Sequence, residues 1–245
     1  MVENPTLTLG VAVVPTTCMG TGSIAFTSTV YGSTTQTLSY RYQANGSATA
    51  ETRTASVSIA NDGTFTLNNL PIGIYSQFAT GGISATGSRV INVLANETTL
   101  IWTGCANGEW HNAANWSKLT VPTATDDVQI SAILSPPLYP TISTTDAKAK
   151  SVSIFSSATL TIANSGKLTI NGFITNTSFA NNIGGTFENN GQLVLGNENA
   201  LNLFGIVNAG TFNNNAGATI TVDNTFATAI NNAANATFSN AGTIN

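Results

Sequence analysis

Charge is what this sequence most lacks. Only 7% of its 245 residues are Asp, Glu, Lys or Arg, against about a quarter in an ordinary globular domain, and no Lys or Arg follows Lys167. A net charge of -4 leaves no basic footprint for a polyanion, so no nucleic-acid partner is expected. Long apolar runs are missing too. No stretch approaches the ~20 residues that a spanning helix requires, so membrane insertion is not expected. Met1 to Val14 has no basic start of a signal peptide, yet the composition reads as secreted, which suggests a mature fragment whose targeting sequence lies upstream.

Groups that do chemistry are equally scarce. The single histidine, His111, would have to be the base of any serine hydrolase, but no Gly-x-Ser-x-Gly elbow accompanies it. Zinc held by His111 and Cys105 would want nitrogen or sulfur ligands that are absent nearby. After Asp146 the only acids are Glu188, Glu198 and Asp223, and no cation accompanies them to bind an acidic sugar, so a paired carboxylate site of a polysaccharide-active enzyme is not expected. Asp126 and Asp127 form the one weak calcium candidate, without the Asp-x-Asp-x-Asp loop that would strengthen it. No cofactor and no enzymatic activity are expected. The two cysteines, Cys18 and Cys105, are either buried thiols or one disulfide suited to an oxidising exterior.

What the sequence does contain is Asn, Thr, Ser and Gly together with 42% hydrophobic residues, too apolar for a disordered chain. Two patterns divide it. Residues 1–98 alternate with period two in short runs (Leu7, Leu9, Val11, Val13; Ile24, Phe26; Leu38, Tyr40, Tyr42; Val57, Ile59; Phe65, Leu67) separated by Gly, Asn and Asp turns, the signature of a β-sandwich. Residues 99–245 carry a repeat. Gly185-Thr-Phe-Glu-Asn-Asn-Gly191, Gly210-Thr-Phe-Asn-Asn-Asn-Ala-Gly217 and Ala236-Thr-Phe-Ser-Asn-Ala-Gly242 place Phe187, Phe212 and Phe238 at intervals of 25 and 26, a period that denotes stacked units. Short strands such as Leu160-Thr-Ile162 and Leu168-Thr-Ile170 fit the same unit, and about five coils starting near Asp126 are expected. Stacking aligns the three Phe as an interior column, while stacked Asn amides bond along the axis.

Two resemblances sharpen these expectations. Cys18-Met-Gly-Thr-Gly-Ser-Ile24, Tyr40-Arg-Tyr42 and Thr64-Phe-Thr-Leu-Asn-Asn-Leu-Pro-Ile-Gly-Ile-Tyr75 resemble the immunoglobulin-like repeat of Bacteroidetes gliding-motility adhesins. Trp102-Thr-Gly104, Trp110, Asn115-Trp-Ser117, Pro122 and Asp126-Asp-Val-Gln-Ile130 are similar to the segment that opens β-helical stalks of large bacterial surface proteins. The second resemblance implies a capped, right-handed parallel β-helix, commonly cargo of type IX secretion. The expected fold is therefore all-β, with an immunoglobulin-like β-sandwich over 1–98 and a parallel β-helix over 99–245. Its Trp-rich cap covers 99–125, and its last coil is open, through truncation or as an assembly surface.

The function expected from these readings is structural or adhesive: a stalk or attachment element at the bacterial cell surface, with protein or surface-glycan partners. Two alternatives compete with it. Trp102, Trp110, Trp116 and Tyr139 could form an aromatic platform for sugar rings, making a carbohydrate-binding module. The open coil could support end-to-end self-association into a filament.

Overall fold

The computed structural model describes residues 5–15, 18, 20–29, 34–44, 47–92, 95, 97–132, 138–173, 176–196, 204–222 and 227–245. The chain forms two compact units, Met1–Asn96 with Ser117–Leu119, and Glu97–Trp116 with Thr120–Asn245. Among the described residues both are built of strands, and the one helical element is a single 3-10 turn at Ala113–Asn115.

The first unit has seven strands: β1 (Leu7–Val13), β2 (Gly22–Ser28), β3 (Thr34–Ala44), β4 (Glu51–Ile59), β5 (Thr64–Leu70), β6 (Gly73–Thr80) and β7 (Ile83–Ile91). They pair antiparallel as two sheets, ordered β1-β2-β5 and β4-β3-β6-β7, an immunoglobulin-like strand order. Alternation sends Ile24, Phe26, Leu38, Tyr40, Phe65, Tyr75 and Phe78 into one core. There Phe26 stacks on Phe65 with centroids 4.9 Å apart and meets Phe78 edge-on at 5.0 Å.

Strand β1 departs from the expected alternation. A bulge between Leu9 and Ala12 shifts its register against β2. One extra residue reverses which side chains face inward, so Ala12 is buried while Val11 and Val13 are exposed. A further feature was hidden in Leu-Pro-Ile-Gly-Ile-Tyr75. The Tyr75 hydroxyl donates to the Pro71 carbonyl at 2.8 Å, the tie across the β5–β6 corner that characterises immunoglobulin-like sandwiches. Burial pushes this phenol's pKa upward, so its hydroxyl keeps the proton it donates to Pro71.

The second unit opens with β8 (Leu100–Ile101) and then winds five coils of three strands each. The coils are β9 (Asp127–Ile130), β10 (Thr141–Ile142), β11 (Ala147–Ala149); β12 (Ser151–Ile154), β13 (Thr159–Ile162), β14 (Lys167–Ile170); β15 (Thr177–Asn181), β16 (Thr186–Asn189), β17 (Gln192–Leu195); β18 (Phe204–Asn208), β19 (Thr211–Asn214), β20 (Thr219–Val222); and β21 (Thr228–Asn232), β22 (Thr237–Asn240), β23 (Thr243–Ile244). Like strands stack in parallel, giving sheets β8-β9-β12-β15-β18-β21, β10-β13-β16-β19-β22 and β11-β14-β17-β20-β23. The corners are tight. A Cβ on Gly191 would lie 2.3 Å from the carbonyl oxygens of Ala163 and Gly166 in the coil before it, a distance no side chain tolerates, so this corner requires glycine.

The interior changes character midway. In the second sheet Leu160, Phe187, Phe212 and Phe238 stand in register, with centroids 4.6 Å apart for Phe187–Phe212 and 5.0 Å for Phe212–Phe238. Phe179 reaches the column from the first sheet, 4.8 Å from Phe187. Two residues further along each strand, the inward row reads Ile130, Ile154, Asn181, Asn208, Asn232 in the first sheet and Ile142, Ile162, Asn189, Asn214, Asn240 in the second. From the third coil onward, isoleucine gives way to asparagine in both rows. Each buried amide then donates to the next: Asn181 to Asn208 at 2.8 Å and Asn208 to Asn232 at 2.7 Å, with Asn189 to Asn214 at 2.8 Å and Asn214 to Asn240 at 2.7 Å beside them. The second N–H of each reaches a backbone carbonyl, as from Asn181 to Thr211 and from Asn189 to Thr219. At the switch the two rows differ: Asn189 Oδ1 accepts from the Gly191 amide at 3.1 Å, whereas the buried Oδ1 of Asn181 has no partner.

Three substitutions check these contacts. Tyr75→Phe, which leaves the ring in place, should destabilise the first unit by about 1 kcal/mol in urea titration. In the second unit Phe212→Ala should cost about 3–5 kcal/mol and Asn214→Ala about 1–3 kcal/mol, both visible as a lowered midpoint of its unfolding.

Candidate functional site

The segment between β8 and β9 holds most of the residues to which chemistry could be assigned. Its framework is hydrophobic. Trp102, Trp110 and Trp116 are 2%, 0% and 0% exposed and pack edge-to-face in series, Trp102 on Trp116 at 4.9 Å and Trp110 on Trp116 at 4.8 Å. They join Leu100 of β8 and Val128, Ile130 and Ile142 of the first coil in one core. Trp102 donates its indole N–H to the Leu138 carbonyl and Trp116 to the Trp110 carbonyl, each at 2.8 Å.

Asn115 organises the backbone around them. Its Oδ1 accepts from the amides of Ala106 and Asn107, and its Nδ2 donates to Asn107 Oδ1 and the Glu109 carbonyl, all within 2.8–2.9 Å. Its own carbonyl accepts from the amides of Thr103 and Gly104 and from the Thr103 hydroxyl. The spacing Trp-x-Gly, then Trp, then Asn-Trp, therefore describes a folded loop. Asparagine is required at 115 because one buried side chain must both donate and accept. The sequence marked this residue only as part of a motif.

The cap also pairs with the first coil's edge in two of the three sheets, while β11 is the edge strand of the third. Strand β8 pairs with β9, while the Thr141 amide of β10 donates to the Gly108 carbonyl at 2.7 Å and the Thr141 carbonyl accepts from the Trp110 amide at 3.1 Å. A sugar platform needs exposed ring faces, and the three indoles have none. Tyr139 is half-buried, and its hydroxyl donates to the Ser157 carbonyl.

The carboxylates are similarly engaged. Asp126 Oδ2 accepts from the amide and hydroxyl of Thr123, at 2.8 and 2.6 Å, which fixes the turn before β9. Asp127 instead pairs with Lys150 at 3.0 Å and accepts from the Ser151 hydroxyl at 2.6 Å. The two carboxylates thus serve separate partners, and no cluster of three or more metal-ligating side chains occurs among the described residues. Glu188 accepts from the amides of Asn213 and Asn215 on the next coil. Glu198 and Asp223 lie outside the described residues. Cys18 and Cys105 are both disulfide-bonded, which removes Cys105 as a zinc ligand.

His111 stands in an exposed cluster. Its Nδ1 is 3.0 Å from the Thr144 hydroxyl and its Nε2 is 3.2 Å from Asp146 Oδ1, while the Thr144 hydroxyl donates to the same Asp146 oxygen at 2.7 Å. The three side chains thus tie the 111 loop to the turn that precedes β11. The Thr144 hydroxyl, and then the His111 charge, hold the Asp146 carboxyl below the usual carboxylate range. A group with a lowered folded pKa contributes its contacts above its ordinary pKa and loses them as pH falls through the lowered value.

Two measurements check this account of the cap. Asn115→Ala should destabilise the second unit by about 2–3 kcal/mol, since it strands several buried amides, and tryptophan fluorescence should red-shift as water reaches the indoles. In carbon-detected titration Asp146 should titrate below an ordinary Asp, and Thr144→Val should raise it toward that value.

The family model described as a domain of unknown function, DUF8693, matches residues 101–243. No curated protein and no solved structure matches the chain. The matched span begins in β8, runs through the tryptophan cap and ends in the fifth coil, more than half of the sequence, and the chain therefore belongs to the DUF8693 family.

Proposed function

We propose that this protein is an architectural module of a secreted or cell-surface bacterial protein, in which the solenoid spaces or attaches whatever it is joined to. The supporting observation is how the second unit uses its polar groups. Asn115, both Asp of the 126–127 pair, Glu188, His111 and the indole N–H groups of Trp102 and Trp116 bond within the fold, Trp110 is wholly buried with no partner for its N–H, and the interior is filled by the Phe column and the two Asn rows. A disulfide-bonded chain with 7% charged residues fits an oxidising exterior. Among the described residues no helix is long and apolar enough to cross a membrane. The resemblance to gliding-motility adhesins and stalk proteins carried by type IX secretion supports an adhesive setting for the same module.

The burial of the three indoles favours this reading over a carbohydrate-binding platform. A spacer tolerates a change of length that a site spread over successive coils does not. Inserting three in-register copies of residues 186–210 should give a folded chain of undiminished melting temperature, longer by about 14 Å in small-angle scattering. Release of reducing ends or unsaturated products from a polysaccharide panel, above a blank, would overturn the architectural reading.

A further inference from the structure

Four asparagines of the chain are each followed by glycine: Asn45, Asn107, Asn171 and Asn190. In such a pair the backbone nitrogen of the glycine can attack the side-chain amide carbon of the asparagine, because glycine has no Cβ to obstruct the approach. The reaction needs both partners free. The side chain must swing onto its own backbone, and the glycine N–H must give up its proton. Asn45 lies outside the described residues, and the fold treats the other three differently.

At two of them hydrogen bonds hold the reacting groups. Asn107 Oδ1 accepts from the Glu109 amide at 2.9 Å and from Asn115 Nδ2 at 2.8 Å. At the other, the Gly191 amide donates to Oδ1 of the buried Asn189 at 3.1 Å, while Asn190 Oδ1 accepts from Asn215 Nδ2 at 2.9 Å. Asn171 has neither restraint. It follows β14 directly, is exposed, and is held through its backbone amide, which donates to the Ala149 carbonyl at 3.2 Å. Among the described residues no group bonds to its side-chain amide or accepts from the Gly172 N–H.

We infer that Asn171 is a site of spontaneous modification, at which the chain rearranges to aspartate and isoaspartate without an enzyme. The Gly172 nitrogen loses its proton to hydroxide and bonds to Asn171 Cγ. The Cγ–Nδ2 bond then breaks, and Nδ2 leaves as ammonia with a proton taken from water. Water opens the resulting cyclic imide on either side, at Cγ to give aspartate or at the Asn171 main-chain carbonyl to give isoaspartate, so no oxidant or cofactor enters. Ala149 pairs with Ile170, which makes residue 171 the next position in the stack after Lys150, whose ammonium pairs with Asp127 at 3.0 Å. Modification therefore adds a carboxylate one coil beyond that ion pair. The inference does not depend on the solenoid's being a spacer.

The full chain, incubated folded in mildly alkaline buffer and followed by peptide mapping with mass spectrometry, tests the assignment. Each conversion adds one dalton, and chromatography separates the aspartate peptide from the isoaspartate one. Opening two hydrogen bonds slows the attack by about tenfold or more, so Asn171 is expected to convert at least about tenfold faster than Asn107 and Asn190, giving both products. In urea those bonds are lost, and the three rates should converge. Asn171→Gln, whose longer side chain closes the ring poorly, should abolish the product at this position and leave the melting temperature unchanged. An Asn171 that stays intact in the folded chain, conversion at Asn107 or Asn190 as fast as at Asn171, a rate ratio that persists in urea, or aspartate without isoaspartate would overturn the inference.

Discussion

The whole second unit depends on like strands stacking in register, coil upon coil. A coil of three short strands cannot bury an apolar face by itself, so its stability comes from the coil before and the coil after. This dependence sets the side chains that are allowed. An inward position must suit its own counterpart a strand spacing away, and Phe on Phe, aliphatic on aliphatic and Asn on Asn each do so. Like charges stacked at that distance would repel. The scarcity of Lys, Arg, Asp and Glu in the coils is thus a consequence of the architecture. Glu188 shows the exception permitted: it stands on the outer face and meets Asn213 and Asn215, not another carboxylate.

The change from Ile to Asn after the second coil shows two ways of meeting the same constraint. Ile154 and Ile162 fill the corners by packing and are indifferent to small shifts along the strand. An Asn row is less forgiving, because a buried amide out of register loses its partners and keeps its desolvation cost. Asn rows therefore fix register where the repeat is most regular, and the aliphatic coils serve next to the cap, where the tryptophans already fix the position. Where the two regimes join, a backbone amide stands in for the missing side-chain donor at Asn189, from Gly191, and none does so at Asn181.

Much of this was legible in the sequence. The recurrence of Thr-Phe at intervals of 25 and 26 named the aromatic column, because a residue that must stack on its equivalent has to recur once per coil. The amide stacking could be anticipated in kind for the same reason. Phe179 was not, since it enters the column from a different sheet, and a one-dimensional period cannot show which sheets face each other. The phase of β1 was missed because Val11 and Val13 look like ordinary alternation, and only pairing with β2 exposes the bulge that turns them outward. The tryptophans could be read either as a plug or as a sugar platform, since indoles suit both. In the structure the three rings are buried and pack edge-to-face on one another, beside a loop that Asn115 holds through its backbone.

The same hydrogen-bond chemistry makes the solenoid polar along its axis. Side-chain amides that all donate in one direction add a sense of order that packing alone would not impose. A purely aliphatic stack could be extended equally well by any apolar, strand-forming surface. An Asn row discriminates, because an unpaired buried N–H costs on the order of 1–3 kcal/mol, so each following coil must present a side-chain carbonyl at both corners together. Register and direction in this half of the solenoid therefore rest on one interaction.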